Sequence, residues 1–191
     1  MAKALFEDKT FDKINFTEQP LEKGDYESCE FINCQFAGVD LSQVNFASCT
    51  FRGCNMSMAK MTKTAMRDIR FISCKLMGMP FDSCNEFLFS VGFDECMLNL
   101  SSFYKVNLKK TKFKNCSLHE TDFTQADLNA TVFDNCDFAG ATFDRTILEN
   151  ADLRSSYNYS IDPESNKIKK AKFSLRGVAG LLDKYGIQID Y

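Results

Sequence analysis

"ADLNATVFDNCDFAGATF", residues 126–143, places a large apolar residue at every fifth position: Leu128, Phe133, Phe138 and Phe143. Stepping by five through the rest of the chain extends the pattern. Downstream come Leu148 and Leu153, and upstream Phe123, Leu118, Phe113, Leu108, Phe103, Leu98, Phe93 and Leu88. The frame then shifts by two residues. In the new frame sixteen further centres, from Phe81 back through Phe71, Met66, Met61, Met56 and Phe51 to Phe6, are again all apolar. In a chain that is 45% hydrophobic, thirty successive hits would arise by chance with a probability on the order of 10⁻¹⁰. Sixteen of the nineteen phenylalanines are centres, and there is no tryptophan.

A period of five matches neither the 3.6 of a helix nor the 2 of a strand. A chain that buries every fifth residue, and the residue two before it, has to turn after each pentapeptide. The spacing alone does not say how many such sides close a coil. Residues 126–143 resemble the pentapeptide-repeat family, with its small–polar–Leu/Phe–x–x pattern, and the match runs from about residue 4 to 153. That resemblance implies an all-β fold, a right-handed quadrilateral parallel β-helix with four pentapeptides, or twenty residues, per coil. At about 4.8 Å per coil the rod is about 36 Å long.

Nine cysteines and one histidine raise the question of a metal or redox site. Cys29, Cys34, Cys49, Cys54, Cys74, Cys96, Cys116 and Cys136 each lie two before a centre, and Cys84 sits where the first frame would next place that slot. With twenty residues per coil, Cys34, Cys54, Cys74, Cys96, Cys116 and Cys136 form one column. Neighbours about 4.8 Å apart with parallel side chains suit neither a disulfide nor a metal, which need convergent geometry. The cysteines are read as small packing residues, with no metal site and no cofactor.

Composition excludes several classes. The 191 residues suffice for one domain with a substantial core. No stretch reaches membrane-spanning length, and the cysteines without an apolar leader fit a reducing compartment, so a cytoplasmic protein is expected. There is no phosphate-binding glycine loop, no HExxH, no G-x-S-x-G and no cysteine–histidine pair, so no enzyme activity is expected.

Two segments break the pattern. Continuing the first frame past Phe81 would bury Glu86, so a bulge is expected near 84–88, exposing Phe87 or Phe89. After residue 153 the period ends, dividing the chain into 1–153 and a 154–191 cap. Within that cap Ser174 reads as an N-cap, and Leu175, Val178, Leu181, Leu182 and Tyr185 keep helical spacing on one face. Gly186 reads as a stop, and Ile187, Ile189 and Tyr191 alternate like a short strand. The segment resembles the C-terminal helix of quinolone-resistance (Qnr-type) family members, which implies a capping helix that carries a homodimer. "KIKKAKF" (167–173) reads as a solvated strand face rather than a nucleic-acid patch, and no direct nucleic-acid contact is expected.

Function is expected on the outer surface. The Qnr-type resemblance implies mimicry of duplex DNA and binding to DNA gyrase or topoisomerase IV, modulating quinolone or toxin action. About 36 Å of duplex presents roughly twenty charges, whereas residues 1–153 carry 22 acids against 16 bases. The charge comes in blocks: net −5 over 1–51, +5 over 52–81, −4 over 82–104, +5 over 105–114 and −7 over 115–153. The last block holds the candidate acidic surface, Glu120, Asp122, Asp127, Asp134, Asp137, Asp144, Glu149 and Asp152. A tail-to-tail dimer would bring two such blocks together. Against this, the repeats run through "CTFRGCNM" (49–56) without the projecting loops of drug-protective Qnr-type proteins. The competing reading is a rigid scaffold for a partner unrelated to topoisomerases.

Overall fold

A computed structural model describes residues 4–189. Residues 1–3 and 190–191, including Tyr191 of the expected terminal strand, lie outside them. The chain winds as a parallel β-solenoid. Each turn brings a residue back beside its counterpart twenty positions on: Ala4 pairs with Gly24, Phe11 with Phe31, and Phe113 with Phe133.

Two stacks of short strands run along the rod. One contains β1 (Ala4–Glu7), β3 (Gly24–Glu27), β5 (Asn45–Ala47) and β7 (Ala65–Arg67). The other has seven strands: β2 (Thr10–Asp12), β4 (Glu30–Ile32), β6 (Thr50–Arg52), β8 (Ile69–Ile72), β9 (Val91–Asp94), β10 (Lys112–Lys114) and β11 (Val132–Asp134). The remaining sides pair through single parallel bridges, such as Met97 with Ser117 and Ser117 with Asp137. Most pentapeptides end in a corner whose residue, two after the centre, is left-handed: Asn33, Ser73, Lys110 and Asn135 have φ of 53, 52, 60 and 53°.

The centres fill the interior as ladders of rings. Phe11, Phe31, Phe51, Phe71, Phe93, Phe113 and Phe133 stack with centroid spacings from 4.7 to 5.4 Å. The adjoining ladder, Phe81–Phe103–Phe123–Phe143, meets it edge-on, at 90° between Phe103 and Phe113. Offset-stacked and edge-to-face contacts are the two favoured aromatic geometries, and both are used on each coil.

All nine cysteines are free, and all but Cys84 are buried. They are more than packing residues. Cys54 and Cys74 donate their thiols to the carbonyls of Phe31 and Phe51 on the preceding coil, at 3.2 and 3.3 Å. Thr64, Thr131 and Thr146 bond the carbonyls of Leu41, Leu108 and Phe123 in the same way, at 2.7, 2.8 and 2.8 Å. The small slot therefore takes compact side chains, and Cys or Thr there adds a donor that Ala59, Ala126 and Ala151 lack. Burial pushes the Cys49 thiol up to about 12. The neighbouring Cys116, together with burial, pushes Cys136 above its ordinary range.

At the frame shift Leu88 is not an inward centre. It is 62% exposed, as is Phe87, and it occupies a corner with φ 58°. Phe89 turns toward the core instead, edge-on to Phe81 at 6.5 Å. The reason is local: the ladder needs Val91 beside Ile69, and only 86–90 can absorb the two extra residues. Two adjoining sides lose a bridge near the shift, and on one of them none joins Lys60 to Pro80 among the described residues. Ala65 still bridges Asn85, and Asn107 bridges Asp127, but no bridge joins Asn85 to Asn107 among the described residues. The seven-stranded stack runs through without interruption.

The pairing continues beyond residue 153. Lys167 bridges Ile147 and Lys172 bridges Asp152, so Ile168 and Phe173 resume the five-residue frame with the lysines of 167–173 outside. The expected C-terminal helix is absent. Among the described residues the tail forms two 3-10 turns, Val178–Leu181 and Asp183–Tyr185, and Ile187 and Ile189 form no strand. Gly177 and Gly180 explain the difference. A Cβ on either would collide with Tyr159, so both glycines are needed for close docking on the rod's end, where Ile161 N–H bonds Gly180 O at 2.9 Å. Two glycines three apart also weaken an α-helix by about 1 kcal/mol each.

Three outcomes check this construction. Cys74→Ser keeps a donor on Phe51 O and is expected to change unfolding free energy by less than about 1 kcal/mol, whereas Thr131→Val removes the hydroxyl donor from Leu108 O, which keeps the Thr111 N–H, and costs about 0.5–1.5 kcal/mol in urea unfolding. A thiol reagent at pH 8 should leave the eight buried cysteines unlabelled in native protein and reach them only in denaturant. Gly180→Ala should release the tail from Tyr159, read as proteolysis confined to residues beyond 173.

Candidate functional site

With a solid interior, the surfaces available to a partner are the outward positions of each pentapeptide. The register decides which of these are neighbours. Asp122 stacks between Ser102 and Thr142, Asp127 between Asn107 and Ile147, Asp137 between Ser117 and Tyr157, and Asp152 between Val132 and Lys172. These four acids thus occupy four different sides of the coil. The acidic block is a ring around the rod, not a single face.

Three of the eight candidate carboxylates are bridged by Lys or Arg, and a fourth, Asp137, is hydrogen-bonded by His119. Lys109 reaches Asp127 at 3.0 Å from the preceding coil, and His119 Nε2 lies 2.8 Å from Asp137. Arg145 binds Asp144 at 2.8 Å, and Arg154 binds Asp152 at 2.7 Å with Lys172 at 3.9 Å. Glu120, Asp122, Asp134 and Glu149 carry no salt bridge among the described residues; Asp122 accepts the Thr124 N–H, and Asp134 accepts the Ser155 hydroxyl. The Asp137 carboxyl is held below its ordinary range. Partial burial opposes the shift, but the hydrogen bonds from His119, Asn158 and the Ala139 N–H outweigh it. For Asp152 the Arg154 hydrogen bond leads in the same direction.

The five candidate dimerisation residues do not share one face. Leu175 is 90% exposed, and Val178 and Tyr185 are exposed, while Leu181 packs against the core and Leu182 is half-buried. Tyr185 and its neighbour Lys184 are tied back to the rod: Lys184 bridges Asp162 and Glu164 at 2.7 and 2.6 Å, and the Tyr185 hydroxyl bonds Glu164 at 3.1 Å. Ser174 caps no helix: its hydroxyl accepts the Gly177 N–H at 3.1 Å in a turn, and Gly177 stands at the N-cap of the 3-10 turn that follows.

Two surface openings were not legible in the sequence. A cleft of about 460 Å³ lies at the frame shift, where the bridge between coils is missing, walled by Phe81, Cys84, Phe89 and Val106 with Lys63 and Lys105 at its edge. A second, of about 310 Å³, surrounds Gly92 and is lined by Arg70, Lys109, Lys110 and Lys112. Among the described residues no group of histidines, cysteines and carboxylates is arranged to hold a metal ion. No helix is long and apolar enough to cross a membrane.

The family model for the pentapeptide repeat region matches residues 24–86 and 87–162, most of the chain. The protein belongs to the pentapeptide-repeat family. Among solved structures it is similar to a trypsin-treated variant of QnrB1, a plasmid-mediated fluoroquinolone resistance protein, with 17% identity, full coverage of both chains and a TM-score of 0.53. HetL, a pentapeptide-repeat protein involved in heterocyst differentiation regulation in the cyanobacterium Nostoc, is 14% identical, with 93% of this chain and 87% of that one covered and a TM-score of 0.44. No curated protein matches. At these identities the likeness concerns the fold alone.

The lowered carboxyls give a pH dependence. Asp137 and Asp152 titrate below their unfolded values, so their contribution is complete above the unfolded aspartate pKa of about 3.9 and is lost as pH falls through the folded values. Thermal unfolding between pH 5 and 2 should show a shallower decline in Asp137→Asn than in the parent protein.

Proposed function

We propose that this chain is a non-catalytic binding rod, a right-handed four-sided coil that engages a protein partner through its outer surface. The observation that carries this is the order of charge along the rod. Because each coil is twenty consecutive residues, the blocks of net −5, +5, −4 and −7 become successive bands, while the ten residues of 105–114 add +5 on half a coil. The tail adds a further basic end, with Arg154, Lys167, Lys169, Lys170, Lys172, Arg176 and Lys184 against four acids. A duplex mimic needs continuous negative charge of about one per 1.7 Å. Bands of alternating sign instead suit a partner with its own alternation, where like-charge juxtaposition excludes wrong registers.

A second reading is a DNA mimic directed at gyrase or topoisomerase IV, paired through its cap as a homodimer. Its support is the group of unbridged carboxylates Glu120, Asp122, Asp134 and Glu149 within two coils. A gyrase supercoiling assay with and without a fluoroquinolone separates the two. The scaffold reading expects no inhibition and no relief of drug inhibition at low micromolar protein. Inhibition that disappears on charge reversal at Asp134 and Glu149 would establish the mimic in its place.

A further inference from the structure

The opening around Gly92 lies between two coils whose outward side chains are cationic. β8 and β9 pair Arg70 with Gly92, and β9 and β10 pair Phe93 with Phe113, so Lys112 is the next residue outward in the same column. Arg70, Gly92 and Lys112 therefore stand on three successive rungs, and the middle rung has no side chain. A Cβ added at Gly92 would meet nothing within 4 Å. The resulting notch of about 310 Å³ is also lined by Lys109 and Lys110 from the adjoining corner, by Ser90 and Val91, and by one carboxylate, Asp68. Arg70, Lys110 and Lys112 are exposed and make no salt bridge among the described residues, while Lys109 is shared with Asp127 at 3.0 Å.

We infer that this notch is the docking site for a short acidic segment of a protein partner, a refinement that rests on the binding-rod reading. The width of the band selects the ligand. Two rungs span about 10 Å, the reach of two or three carboxylates along an extended peptide. Beyond Arg70 the column continues with Thr50 and beyond Lys112 with Val132, neither of them charged. A duplex, with one charge per about 1.7 Å, would extend past the notch onto rungs that offer it no cation. A short acidic segment meets only the cations. The side-chain-free rung lets its backbone approach the sheet, and Arg70 above and Lys112 below reach its carboxylates from both ends. Arg70 contributes a planar fork suited to bidentate carboxylate binding.

The test is fluorescence anisotropy of a short fluorescein-labelled peptide alternating Glu and Ser, titrated with the full chain at low ionic strength. Binding is expected to weaken about tenfold or more in Arg70→Glu/Lys112→Glu and to change little in Lys60→Glu/Lys75→Glu, which alters net charge equally on other sides. Gly92→Val, sterically free and strand-compatible, fills the notch with its charges intact and should also weaken binding. Circular dichroism melts confirm that each variant is folded. Peptide that fails to bind, or that binds the parent, the notch reversal and Gly92→Val alike, overturns the inference. So does a short DNA duplex or inorganic phosphate that displaces the peptide at lower concentration than unlabelled peptide does. The supercoiling assay is independent of this result: gyrase inhibition would remove the scaffold reading, whereas absence of peptide binding removes only the notch.

Discussion

Everything in this structure depends on the twenty-residue register that stacks one phenylalanine on the next. Along the seven-stranded side the rings from Phe11 to Phe133 lie 4.7 to 5.4 Å apart, close to the spacing of backbones in a sheet. Ring stacking and backbone pairing therefore ask for the same translation. A coil one residue longer or shorter would set a polar corner residue over a ring and break both at once. This is why an insertion near residue 86 is expelled locally as a bulge and not propagated along the rod.

The same register explains the small slot. A β-solenoid of narrow cross-section turns some carbonyls toward its interior, where they must be paired. Donors from Thr64, Thr131, Thr146, Cys54 and Cys74 each reach back to the carbonyl of the centre on the coil before. Cysteine, serine and threonine thus have a common role. A cysteine count that would elsewhere imply metal or redox chemistry reflects a repeated hydrogen-bonding need, with each of the eight buried sulfurs donating to a backbone oxygen.

With the interior closed, recognition is left to the outside, and there the solenoid turns linear sequence into longitudinal position. A charged run becomes a band and not a face. The acids of 115–153 encircle the rod, and several are bridged by cations one coil away, such as Lys109 to Asp127 and Lys172 to Asp152. The cleft at the 86–90 bulge and the notch at Gly92 arise where the repeat is imperfect: at the bulge no bridge joins Asn85 to Asn107 among the described residues, and at Gly92 a rung lacks a side chain.

The five-residue spacing of Phe, Leu and Met by itself determined the core and the outward positions, because burial at a fixed period makes the chain turn after each pentapeptide; the parallel solenoid came with the family resemblance of residues 126–143. It also marked the place of the frame shift, since burying Glu86 is prohibitive. Tertiary structure decided the rest. Leu88 kept the spacing yet became a corner, because Phe89 could reach the core once Val91 had paired with Ile69. The spacing from Leu175 to Tyr185 read as an amphipathic helix, but Tyr159 beneath Gly177 and Gly180 favoured tight 3-10 turns. Which charges meet was equally beyond a linear reading, for His119 finds Asp137 and Arg70 finds Gly92 only after a full coil has been closed.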